Sequence, residues 1–229
     1  MGLSIIGCSD LEIKPIPDKY KAHITYNEPL DTKKVMESLA NSGKSISDQK
    51  GLLSLIMIMS GAEHNFLDDD FKGICGQEIK VHPEAEVNDE AYDWYNNNST
   101  NIFHVDWTTN MAYWKTSNSK SFRIDRSYSG MSDFCNTVSQ FTKEKFYFPC
   151  DDILNTSICM RYCNVMKNVW LQWKHKYFPT KDLPDDLNEI NEHNYKNHLN
   201  GNDDWELEFF MSLFISLKYA SSCGIVRCG

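Results

Sequence analysis

Cysteines are the residues of this chain best suited to chemistry, and their spacing indicates which chemistry. There are eight in 229 residues, a high count for a reducing compartment. Cys159 and Cys163 are four apart, which on a helix puts both on one face. Cys223 and Cys228 lie near the end of the sequence, Cys135 and Cys150 lie ahead of the Cys159 pair, and Cys75 stands in Gly73-Ile74-Cys75-Gly76. No redox or zinc consensus accounts for them, so disulfides and an oxidising compartment are the expectation. The economical pairing joins Cys159 and Cys163 to Cys223 and Cys228, and Cys135 to Cys150. Closing a loop of about fifteen residues stabilises by about 3 kcal/mol if the effect is chain entropy alone. The same two pairs could instead offer four thiolates to a structural zinc ion. An acidic exported chain favours bridges, and no metal or cofactor is expected.

The carboxylates offer a second chemistry. Glu63 follows an apolar run, within Gly61-Ala62-Glu63-His64-Asn65-Phe66. A carboxyl among apolar walls keeps its proton to higher pH and can act as a general acid. Lysozyme-like folds place their acid at such a helix end. The segment Gly73-Ile74-Cys75-Gly76-Gln77 resembles the Gly-x-x-Gln stretch of lytic transglycosylases, with a shorter spacing and His64 where that family has Ser. The resemblance implies a cell-wall glycosidase with Glu63 as general acid. Asp68-Asp69-Asp70 lacks the Gly and the final Glu of a calcium loop and reads as a solvated run. His104 and Asp106 share a strand face and could pair with a thiol, but a satisfied or solvent-facing histidine is the plainer reading. His193 and His198 are five apart, which is wrong for one helix face. Tyr92-Asp93-Trp94-Tyr95 is a candidate contact patch, since Tyr and Trp make good interface anchors, and the competing reading has its rings plug the open face of the sheet.

The N-terminus carries a third signal. Ile5-Ile6-Gly7-Cys8 is followed at once by polar, proline-containing sequence. It resembles the lipobox of bacterial lipoproteins, in which cleavage precedes an acylated Cys. The charged and apolar regions of such a signal do not precede it, so on this reading the chain starts inside its own signal. The resemblance implies lipid on Cys8 and a periplasmic or outer-membrane location. The competing reading makes Leu3–Ile6 a first strand with a buried Cys.

These residues must be positioned by helices and strands that the pattern predicts. Residues 9–20 carry charges of both signs with Pro15 and Pro17, and read as a tether. Lys21–Asn27 alternates as a strand. Asp31 caps a helix from Thr32 to Asn41, with Val35 and Leu39 on one face. Leu52–Met59 is apolar nearly all round and is expected as the central buried helix, capped by Ser47 or Asp48. Residues 66–101 read as acidic and rich in loop. Asn101–Trp107, Met111–Lys115 and Ser121–Arg126 are expected as a three-stranded meander. Apolar residues recur at helical spacing over Asp151–Tyr177, and Pro179 and Pro184 follow. A final helix begins after Asp203 or Asp204, with Leu207, Phe210, Phe214 and Leu217 on one face.

The fold class expected is α+β: a small antiparallel sheet packed on a buried helix, with a disulfide-stapled helical C-terminal half. Residues 1–20 are expected as truncated signal and tether, and residues 21–229 as one domain. The net charge of −9 repels phosphate backbones. Lys33-Lys34 and Lys174–Lys176 are the densest basic spots. Nucleic acid is therefore excluded as a partner, and a membrane enters only through an anchor at Cys8. No apolar run approaches the ~18–20 residues of a membrane span. The function class expected is an exported binding protein whose partner is another protein or a cell-surface component. The glycosidase using Glu63 is the alternative.

Overall fold

The computed structural model describes residues 2–26, 28–60, 77–79, 81, 83–142, 146–148, 153–199 and 204–228. Glu63, Cys75, Asp68–Asp70 and Cys150 lie outside the described residues. The chain is α+β and forms two compact units from interleaved segments. The first takes residues 1–14, 99–104 and 113–229, and the second takes 15–98 and 105–112.

The first unit is organised by a four-stranded antiparallel sheet. Its strands are β1 (Gly2–Cys8), β9 (Ser121–Ser127), β10 (Leu154–Asn155) and β11 (Ile225–Cys228), in the order β10-β11-β1-β9. β1 is hydrogen-bonded on both sides, with Ile5 opposite Ile124 on β9 and Cys228 on β11. Period-two alternation sorts its side chains. Leu3 and Ile5 enter the main core, whereas Ile6 and Cys8 join a smaller cluster with Leu11, Phe103 and Ile225. Each residue of Ile5-Ile6-Gly7-Cys8 therefore has a place in a strand, and the Cys8 side chain is buried.

Three helices complete this unit: α4 (Tyr128–Ser139), α5 (Thr156–Tyr177) and α6 (Trp205–Ala220). α6 is the buried helix on which the sheet packs, and its residues from Phe209 to Leu217 are all buried. Its two buried serines keep their hydroxyls satisfied, Ser212 donating to the Glu208 carbonyl and Ser216 to the Phe122 carbonyl at 3.3 Å. α5 starts where the Asn155 side chain accepts from the Ile158 N–H at 3.1 Å. It ends with Lys174, His175 and Lys176, which suit the negative end of the helix dipole. Trp170 and Trp173 of α5 pack on Phe210 with ring centroids 5.2 and 4.5 Å away. Beside them the buried Lys174 Nζ donates to the Leu183 and Pro184 carbonyls at 3.0 and 3.1 Å and reaches Asp185 at 2.6 Å. That arrangement pins the polar connector after α5 with charge-assisted bonds.

The second unit holds α1 (Thr32–Asn41), α2 (Ile46–Met59) and α3 (Asp89–Asn98), with two short antiparallel pairs. Those pairs are β3 (His23–Thr25) with β6 (Glu84–Glu86), and β4 (Leu30–Asp31) with β5 (Glu78–Ile79). Leu39, Leu53 and Met57 form its core. Strands β2 (Leu11–Pro15), β8 (Met111–Lys115) and β7 (Ile102–Asp106) form a three-stranded sheet in the order β2-β8-β7.

Several expectations need correction. α2 is apolar nearly all round but leaves Leu55 and Met59 exposed, and α6 takes the central place. Its start is held by Ser45, which accepts from the Asp48 N–H at 3.2 Å and donates to the Asp48 carboxylate at 2.6 Å. The meander is broken, because β9 leaves β7 and β8 to pair with β1. Residues 89–98 form a helix inside the stretch expected to be rich in loop, and residues 128–139 form a helix that the pattern does not predict. Residues 9–20 contain β2 and a 3-10 turn at Asp18–Tyr20. No disulfide is found among the described residues. Cys159 and Cys163 do share a buried face of α5, but that face looks into the apolar core. Cys223 sits exposed in the turn after α6. The segment beyond it is held by the β11 ladder, so hydrogen bonds do the stapling assigned to sulfur.

Candidate binding site

The site is assembled from a short turn and one helix of the second unit. Pro17 presets the backbone of the turn, and the Tyr20 N–H donates to the Pro17 carbonyl at 2.8 Å. α3 is capped by Asn88, whose side chain accepts from the Ala91 N–H at 2.8 Å. Asp89 and Glu90 occupy its first turn, where the helix dipole favours anions. Ala91 is fully buried and seats the helix, so Glu90, Trp94 and Asn97 or Asn98 recur along one side at helical spacing.

Tyr20 stacks on Trp94 with ring centroids 5.7 Å apart and planes 17° from parallel. Trp107 meets the edges of Trp94 and Tyr92 at 6.5 and 6.1 Å, which holds the indole of Trp94 in place. The two stacked rings wall a concave pocket of about 350 Å³, open to solvent. That volume is near the lower end of small-molecule sites. Glu90, Asp93, Asn97 and Asn98 supply its polar lining, together with Lys19. Lys19 Nζ lies 3.3 Å from a Glu90 oxygen and 5.2 Å from the Tyr20 ring centre. The Asn98 side-chain amide donates to the Trp94 carbonyl at 2.8 Å, which leaves its oxygen as an acceptor.

Of the aromatic residues named from sequence, Trp94 lines this pocket. Tyr92 is exposed and packs its ring near Trp107, and Tyr95 is half-buried on α3 without lining the pocket. Tyr20 is the residue that sequence reasoning missed. Its signal was the Pro17-Asp18-Lys19-Tyr20 turn inside the stretch read as tether.

The other candidates are dispersed. Burial works to raise the Asp106 carboxyl, but bonds accepted from Thr108 and Thr109 outweigh it and hold the group below the usual carboxylate range. Asp106 Oδ1 accepts from the Thr108 N–H at 3.0 Å, its hydroxyl at 2.6 Å and the Thr109 N–H at 3.2 Å. That carboxylate is a turn-former. His104 packs its ring 5.9 Å from that of Tyr113. Among the described residues, no three His, Cys, Asp or Glu side chains are grouped to hold a metal ion. No helix among the described residues is long and apolar enough to cross a membrane.

Burial pushes the Cys159 thiol up to about 12 and the Cys163 thiol up to about 11. Such groups stay protonated near neutrality and are poor nucleophiles and poor metal ligands. In the native chain a maleimide is therefore expected to modify Cys223 quickly, and Cys8, Cys159 and Cys163 only after unfolding. Mass mapping of labelled peptides checks this. A bridge involving Cys159 or Cys163, or labelling of either as fast as Cys223, would contradict it.

No family model matches the chain, and no curated protein and no solved structure is found to be similar to it.

Proposed function

We propose that this protein is a binding module whose contact site is the Tyr20–Trp94 pocket, and that its partner is a protein or a cell-surface component. The observation that carries the reading is the pair of stacked rings walling a concave, polar-lined pocket. Binding sites combine apolar surface with a few polar groups that fix orientation, and Tyr and Trp contribute large contact area at little cost in side-chain freedom. Carboxylates and amides line the pocket beside the two rings, with no cysteine, serine, threonine or histidine among its lining residues. Aromatic surface with convergent carboxylates and amides is the composition of a recognition site.

The test is an array carrying both glycans and peptides, probed with labelled wild type and with Trp94→Ala. Features that retain the wild type are expected to lose about thirtyfold or more with the variant, the scale of an aromatic hot spot. Tyr26→Ala removes an aromatic ring of the same unit that is 76% exposed and does not line the pocket, and it should bind as wild type does. Equal retention of Trp94→Ala and wild type, or no retained feature, would overturn the proposal.

A further inference from the structure

The chemistry of the pocket selects its ligand class. We infer that it takes a neutral saccharide, with pyranose C–H groups against the aromatic wall that Tyr20 and Trp94 make and hydroxyls donated to Asp93, Asn97 and Asn98. The inference rests on the binding-module reading and narrows it.

Each competing class meets a specific obstacle. An anion would face the carboxylates of Glu90 and Asp93, and the lysine of the pocket is already paired with Glu90 at 3.3 Å. An organic cation would seek an aromatic face, but Lys19 of the chain itself already lies 5.2 Å from the Tyr20 ring centre. Tyr20 and Trp94 also lie 17° from parallel, so they form a stack and not a cage of facing walls. A wholly apolar ligand would strip water from the carboxylates and amides without replacing the hydrogen bonds, at about 1–3 kcal/mol for each group.

A neutral sugar carries no charge for Lys19 or the carboxylates to repel, needs no cage of facing walls, and brings hydroxyls that replace the hydrogen bonds of displaced water. Its C–H face is apolar and matches an aromatic surface, and its rim is rich in hydroxyl donors. The pocket is rich in acceptors: the Asp93 carboxylate, the Asn97 amide oxygen and the Asn98 oxygen left over once its N–H₂ donates to the Trp94 carbonyl. A hydroxyl donated to an ionised carboxylate makes a charge-assisted bond, stronger than a neutral one. The same carboxylates exclude uronic and sialic acids, so selection is for uncharged sugars.

Isothermal titration calorimetry on the full chain tests this. The ligands are chitotriose, cellotriose, maltotriose and mannotriose, set against trigalacturonate and tetramethylammonium. At least one neutral trisaccharide is expected to bind, and neither charged ligand. Trp94→Ala should weaken that binding by about thirtyfold or more, matching loss of an aromatic hot spot. Asp93→Asn should weaken it by about tenfold, the lower end for a bond to a charged group. Tyr26→Ala should leave it unchanged. Asp93 is exposed on α3, so Asp93→Asn separates loss of binding from loss of fold if Trp94→Ala disturbs the ring cluster. Binding of tetramethylammonium or trigalacturonate lost in Trp94→Ala, with no neutral sugar bound, overturns the saccharide inference and keeps the binding module. Sugar binding unchanged in both variants overturns the pocket assignment. No binding of any ligand on the array or in the titrations overturns both.

Discussion

Gly7→Ala is expected to destabilise the first unit by about 3 kcal/mol or more, at or beyond the upper end of the range for overpacking. A Cβ at Gly7 would sit 2.6 Å from the Ser216 carbonyl carbon and 2.7 Å from Ser216 Oγ, and closer still to the carbonyl oxygen. Real carbon contacts of that kind do not occur, so something must move. The carbonyl belongs to the backbone of α6 and cannot rotate aside as a side chain can. Moving α6 would open a core that includes Phe209, Phe210 and Phe214, all fully buried, and protein cores are close-packed. Gly224→Ala repeats the test, because its Cβ would lie 2.9 Å from the Cys8 carbonyl carbon. Gly51→Ala is the control. It lies on α2 with nothing within 4 Å of the added carbon, so it should stabilise by about 0.5–1 kcal/mol through helix propensity. Chemical denaturation midpoints read all three. A Gly7→Ala variant within about 1 kcal/mol of wild type would show that α6 does not press on β1 as described.

A chain beginning at Cys8 is expected to lose the cooperative fold of the first unit altogether. The truncation removes six of the seven residue pairs between β1 and β9 and three of the four between β1 and β11. It also removes Leu3 and Ile5, both essentially inaccessible to solvent. Burial of those two side chains contributes about 3–6 kcal/mol, against a total stability of about 5–15 kcal/mol for an ordinary domain. Two β-strands that used the middle strand as partner are left with bare edges. This experiment also weighs the lipobox resemblance. Cleavage before Cys8 would produce this truncated chain, and acylation would put a lipid on sulfur now buried among Leu11, Phe103 and Ile225. Far-UV circular dichroism and urea unfolding of the truncated chain decide. A truncated chain with the unfolding midpoint of the full chain would show that β1 is dispensable and would favour the lipoprotein reading.

Some of the candidate site was legible in sequence because its signals are local. Trp94 stood out as part of an exposed aromatic run. α3 did not, because only Ala91 of its ten residues is fully buried, and one buried position leaves no helical stripe to read. Tyr20 was invisible as a partner of Trp94, since nothing in either segment specifies the other. A turn far upstream and a helix meet only when the second unit folds. α4 escaped notice for another reason: its N-cap, Ser127, is also the last residue of β9, so strand and helix signals run together.

The cysteines show where spacing stops being sufficient. Helical periodicity correctly put Cys159 and Cys163 on one face, but a shared face says only that both look the same way. What they meet depends on how the last residues return. They return as β11, whose Val226 joins the same core, and burial there keeps the two thiols protonated.

By itself, then, the sequence determined the α+β class, the Asp31-capped helix at Thr32–Asn41, the amphipathic helix ending at Tyr177 and the shared face of its two cysteines. Each follows from hydrogen-bond caps and apolar periodicity within one or two turns of chain. The tertiary structure alone decided which apolar helix became central, which strands became neighbours and which rings came together as a pocket. Alternation identifies a strand and its buried face but not its partner. Choosing a partner depends on whole-chain packing, down to the missing side chain at Gly7 that lets β1 press against the backbone of α6.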